Sequence, residues 1–164
     1  MTADWKAEPV ESDIMRVRED WIDYNGHLNM AYYNVLFDTA IDEAFHRIGL
    51  GPDYVKTRGA SFFTAEVHVC YVRELAVGMP VKATLQLIDF DEKRAHVYQE
   101  LCHAEEGWLS ATSEQMSLHV DMNARKVVPW PDDILASLSA LGRAHAALPR
   151  PERAGRRIEI RKKG

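Results

Sequence analysis

The chain has 164 residues, 46% of them hydrophobic, and a net charge of −5. That is enough for one domain with its own core and too little for two. The acidic balance excludes nucleic acid as the natural partner, no run reaches the ~18 apolar residues of a membrane span, and two cysteines with no apolar leader point to a cytoplasmic protein with reduced thiols.

Along the chain, Ser12 to Asp20 alternates loosely and predicts a short strand. A polar loop, Asp23–Leu28, follows. The spacing then predicts a helix from about Asn29 to Ile48, with Asn29 as N-cap and Gly49 as the left-handed stop. Its inner stripe is Tyr33, Leu36, Phe37, Ala40, Ile41, Ala44 and Ile48, and Ala31, Val35 and Phe45 widen it, as in a helix more than half wrapped by other structure. Pro52–Gly59 reads as a turn or short helix. After Ala60 the period becomes two: Phe63, Ala65, Val67, Val69 and Tyr71 on one face, with Glu66, His68 and Cys70 on the other. Further strands run through Val81–Leu87, Val97–Leu101 and Trp108–Val120, parted by turns at Gly78, Asp91–Arg94 and Glu106–Gly107. Pro131 opens a last helix, Asp132 to Leu148. The order is strand, long apolar helix, four long antiparallel strands read as a meander, then a small helix. This is an α+β pattern in which a twisted sheet of about five strands wraps one helix, and the sheet's edges call for a second copy.

The charge is unevenly spread. Residues 1–149 form the predicted domain. Residues 150–164 hold seven basic side chains against Glu152 and Glu159, a net of +5, so the remainder carries −10. Such a tail reads as a solvated end, or as an element that meets a polyphosphate such as coenzyme A.

The loop Asp23-Tyr24-Asn25-Gly26-His27-Leu28-Asn29-Met30 is where chemistry is expected. The first amides of a helix lack intrahelical acceptors and carry partial positive charge, so the Met30 amide is a candidate oxyanion donor. Asp23 beside it is a candidate nucleophile or general base, or else a turn cap. His27 orients Asp23, positions water or holds the loop backbone, and Asn29 binds a carbonyl or caps the helix. Trp21, Tyr24 and Tyr33 are candidate substrate contacts, as are Glu66 and Arg73. The rings suit either core packing or an acyl pocket, including one for a cationic acyl group. No Gly-x-Ser-x-Gly motif, dinucleotide glycine pattern or P-loop is present, and His68 with Cys70 lacks the second pair a metal site needs.

The run Asp23-Tyr24-Asn25-Gly26-His27-Leu28-Asn29 leading into the long helix, with Tyr71-Val72-Arg73-Glu74-Leu75 and Gly78 beyond, resembles the hotdog-fold thioesterases of the 4-hydroxybenzoyl-CoA thioesterase-like branch. The likeness covers roughly residues 12 to 130. It implies a hotdog fold and hydrolysis of a small or medium acyl-CoA, with Asp23 as the catalytic carboxylate and the Met30 amide polarising the carbonyl. It implies no cofactor beyond the CoA of the substrate, and an active site at the interface of a homodimer that often pairs into a homotetramer. Many members carry Asn where Met30 stands. Hotdog hydratases space Asp and His differently and place Pro before the His, which disfavours hydration chemistry. Thioesterases of carnitine catabolism share a similar Asp-Tyr-Asn-Gly-His run, which brings in betaine-like acyl groups. The alternative is a non-catalytic hotdog module that binds acyl-CoA or a protein. Arg73, Lys93, Arg94 and the tail are the candidates for the nucleotide end of CoA.

Overall fold

The structure is a computed structural model that describes residues 4–162; residues 1–3 of the N-terminus and 163–164 of the basic tail lie outside the described residues. Two-residue strands β1 (Val10–Glu11) and β2 (Met15–Arg16) replace the single strand expected from Ser12 to Asp20, and a 3-10 turn, Glu19–Trp21, leads into the loop. Helix α1 (Met30–His46) and α2 (Pro52–Arg58) are followed by the long strands β3 (Ala60–Tyr71), β4 (Pro80–Phe90), β5 (Arg94–His103) and β6 (Leu109–Asp121). A short β7 (Lys126–Val127) and helix α3 (Asp132–His145) complete the chain. No described helix is long and apolar enough to cross a membrane.

The long strands do not form a simple meander. The sheet runs β1-β4-β5-β6-β3, with β2 also on β4 and β7 on β6, so β3 crosses over to pair with β6 and leaves an outer edge free. Alternation shows which face of a strand is buried but not which strand lies beside it.

α1 and α3 lie on one face of this sheet. Alternate residues of β4 and β5 (Val81, Ala83, Leu85, Leu87, Ala95, Val97, Leu101) pack beneath Leu36, Phe37, Ile41 and Phe45 of α1. Ala31 and Val35 are exposed, on a stripe shared with Asp38 and Asp42, so within one chain the sheet covers only one side of α1. The predicted alternation in β3 also breaks. A bulge between Thr64 and Glu66 inserts one residue, which turns the strand over. Phe62 therefore packs on Phe45, with ring centroids 4.6 Å apart, while Phe63 stands on the face opposite Val67, Val69 and Tyr71 and remains exposed.

The basic segment after α3 does not leave the domain at once. Gln86, Tyr98, Glu114 and His68 are register partners in β4, β5, β6 and β3, and form one row across the face turned away from α1. The Pro149 carbonyl accepts from Gln86 Nε2 at 3.2 Å, and the Gly155 amide donates to Glu114 Oε2 at 2.7 Å. Residues 149–156 are a strap laid along that row.

Candidate active site

The loop before α1 is a small hairpin closed by its own polar groups. Ile22 bridges Leu28, Asp23 N–H donates to the His27 carbonyl at 3.1 Å, and Gly26 N–H donates to the Asp23 carbonyl at 3.0 Å. Asp23 Oδ1 accepts from Asn25 N–H at 2.8 Å, an Asx turn that fixes the carboxylate. Gly26 takes φ +82°, the left-handed position a three-residue hairpin loop requires. Asn29 N–H donates to the Trp21 carbonyl at 3.0 Å and Leu28 N–H to the Leu75 carbonyl at 2.8 Å, which tie the hairpin to the chain on both sides.

Asn29 is the N-cap: its Oδ1 accepts from Ala31 N–H at 2.9 Å. Among the described residues the Met30 amide has no acceptor. The first turn is held in place from β3, because Tyr71 O–H donates to the Met30 carbonyl at 2.9 Å. Tyr71 also packs edge-on against Tyr33, with centroids 5.0 Å apart. Burial pushes both phenols above their ordinary value, so both stay protonated donors at neutral pH.

These groups open on one cavity of about 480 Å³, lined by Asp23, His27, Asn29, Met30, Tyr33 and Tyr71, with Tyr24 at its rim and Val72, Arg73 and Glu74 on the far wall. Asp23, with one carboxylate oxygen unbonded among the described residues, and Met30, whose amide opens the helix, thus line a common space. That pairing suits attack on a carbonyl whose oxygen gains charge.

Residues 17–138 match the thioesterase-like superfamily. The chain belongs to the thioesterase-like superfamily. It is 39% identical over 144 residues to the betainyl-CoA thioesterase of Pseudomonas aeruginosa, covering 88% of this chain and 91% of that one. The L-carnitine dehydrogenase/betainyl-CoA thioesterase of Rhizobium meliloti is 39% identical over 143 residues, but the chain spans only 29% of its length. A Staphylococcus aureus protein solved in complex with CoA superposes with a TM-score of 0.87 at 26% identity, covering 98% of this chain and 100% of that one.

This member of the superfamily brings together Asp23, His27, Asn29, the Met30 amide, Tyr24, Tyr33 and Arg73 at its cavity. Trp21 is elsewhere. The 3-10 turn aims its ring at Tyr32, where the two stack at 5.5 Å, with the Arg18 guanidinium above it. Glu66 is on the opposite face of the sheet, in a separate cleft with His68, His96, Glu114 and Arg156. The His27 ring does not hold the Asp23 carboxylate: its Nδ1 faces the Leu28 carbonyl at 3.2 Å and its Nε2 lies 3.8 Å from Glu74. Arg73 stacks over Trp108, 3.9 Å from the ring centroid. Tyr71 and Glu74 also stand on the wall; the sequence carries them in its Tyr71–Leu75 run, but nothing in that run marks them as site residues.

Proposed function

We propose that this chain is an acyl-CoA thioesterase whose acyl group is small and carries a cationic, betaine-like head. The observation that supports it is the placement of the Asp23 carboxylate and the unpartnered Met30 amide on one cavity. The substrate carbonyl oxygen takes the Met30 N–H, which stabilises the oxyanion as it forms. Asp23 either attacks the carbonyl carbon or takes a proton from an attacking water; the tetrahedral intermediate then expels the CoA thiolate. Asn29 caps the helix and so sets the angle of the Met30 amide.

The cationic head is favoured by the two betainyl-CoA relatives and by the walls of the cavity. Tyr24, Tyr33 and Tyr71 line it with aromatic rings, and Glu74 adds a carboxylate, the kinds of group a quaternary ammonium prefers. The working unit we infer is a homodimer formed along the free edge of β3, where Val67 and Tyr71 stand exposed beside the cavity wall.

The test is thiol release from betainyl-CoA and from the same acyl group with carbon in place of nitrogen. Betainyl-CoA is expected to win by about tenfold in kcat/KM, the worth of one desolvated cation–π contact. No release from any acyl-CoA would end the thioesterase reading, and preference for the neutral isostere would end the cationic one.

A further inference from the structure

CoA is a polyanion, and residues 1–149 of this chain carry a net charge of −10. Long-range repulsion opposes their meeting unless positive charge is placed where the phosphates arrive. Of the 13 cations of residues 1–149, seven stand in ion pairs. Arg58 holds Asp133 at 2.6 Å, Lys82 holds Glu11 at 2.8 Å, and Lys93 holds Glu92 at 3.3 Å. Arg94 forks onto Asp91, which removes both basic residues of the β4–β5 turn from candidacy. Arg73 belongs to the acyl cavity, stacked on Trp108.

The strap is different. Its anchors are backbone atoms, the Pro149 carbonyl and the Gly155 amide, and docking leaves Arg156 exposed and Arg153 half-buried. Among the described residues neither Arg153 nor Arg156 forms an ion pair. Arg153 reaches the neighbourhood of Tyr98 on β5, and Arg156 lines the cleft beside Glu66 and His68 on β3. Within that cleft both Glu114 oxygens are occupied, one by His96 at 2.8 Å and one by Gly155, and Glu66 is the carboxylate left to oppose an anion.

The position suits the shape of CoA. β3 runs from His68, in the strap's row, to Tyr71, and the chain continues to Val72 on the cavity wall; four residues of strand span about 13 Å, and because the row and the Tyr71 side chain are on opposite faces of the sheet the pantetheine arm of CoA has to pass round the end of β3 at Val72. The phosphates of CoA lie at the far end of an extended pantetheine arm, so their partners must sit at such a remove from the nucleophile. We propose that Arg153 and Arg156 of the C-terminal strap bind the nucleotide phosphates of CoA while the thioester lies beside Asp23. This rests on the thioesterase reading above. Two charge-assisted contacts then set KM and leave the chemical step alone.

The experiment compares wild type with Arg153→Ala/Arg156→Ala on two substrates, the acyl-CoA and the matching acyl-pantetheine, which lacks the phosphates. The variant is expected to raise KM for acyl-CoA by about tenfold or more with kcat unchanged, and to leave acyl-pantetheine unaffected. Arg153→Lys/Arg156→Lys restores most of the loss, and Glu66→Gln lowers KM. An unchanged KM for acyl-CoA overturns the proposal, and so does an equal loss on both substrates. If wild type hydrolyses neither, the failure is that of the thioesterase reading, and calorimetry with CoA alone decides the strap. A drop in CoA affinity of about tenfold in the Ala variant supports it, and equal affinity, or no binding by wild type, overturns it.

Discussion

The two ends of α1 are built on opposite terms. At its N-terminus hydrogen bonding is left unfinished: the Met30 amide has no acceptor among the described residues, Asp23 uses one oxygen on Asn25, and both open on solvent-accessible space. At its C-terminus Ile41, Ala44, Phe45 and Ile48 are sealed under Ile134, Leu138 and Leu141 of α3. The polar rings near that end are spent on structure. His119 meets Tyr54 O–H at 2.8 Å and the Val128 and Pro129 carbonyls at 3.1 and 2.9 Å, although Trp130 Nε1 is buried without a partner among the described residues. One helix thus leaves its dipole exposed at the end where we propose the chemistry, and encloses its side chains at the other. The separation means that each property has its own mutations.

Asp23→Asn tests the reactive end. Asn keeps an oxygen to accept from Asn25 N–H, so the hairpin survives and the thermal midpoint holds. A loss in kcat of about 10²–10⁴-fold is expected, the range for a removed catalytic base. Retained activity would move the chemistry away from this loop. Leu138→Ala tests the other end. Leu138 is fully buried between α3 and the sheet, and truncation is expected to cost about 2–5 kcal/mol in urea unfolding while kcat/KM well below the midpoint stays at the wild-type value. A parallel fall in both quantities would show that the two ends are coupled.

The same contrast explains what could be read from the residues in advance. The reactive loop is local. An Asp two residues before Asn25, a Gly at the left-handed position and an Asn before an apolar stripe act over a few residues, so the sequence carries their geometry. The crossover of β3 does not leave such a mark, because its pairing with β6 depends on which edge is vacant once the other strands have met. One inserted residue near Ala65 reverses Phe63 against Val67, and nothing in the run Phe63-Thr64-Ala65-Glu66-Val67 distinguishes a bulge from clean alternation. Trp21 and Glu66 show the limit of nearness in sequence. The first is two residues from Asp23 and turns toward Tyr32, and the second shares β3 with Tyr71 and faces the other side of the sheet. The strap was legible as charge but not as architecture, since its anchors are backbone atoms that composition does not describe.

The smallest expected effect concerns pH and belongs to the enclosed end. His145 closes α3 with both ring nitrogens committed: Nδ1 accepts from Leu87 N–H at 2.9 Å, and Nε2–H donates to the Glu8 carbonyl at 3.1 Å. The ring must be neutral for this, since a proton on Nδ1 would face the Leu87 N–H. Burial accordingly pushes its pKa below the ordinary 6.5, with the Glu8 contact opposing in part. The unfolded chain therefore binds the proton first as pH falls. The stability from this contact is complete above 6.5 and is lost as pH drops from there through the depressed folded value. His145→Gln, which offers one acceptor and one donor without titrating, is expected to flatten the acid limb of a midpoint-against-pH curve. It should leave kcat at neutral pH at the wild-type value, because the two regions share no group. A variant that lowers kcat as well would mean that the His145–Glu8 contact reaches the N-terminal end of α1 after all, through Val10 and Ile41 of the same core.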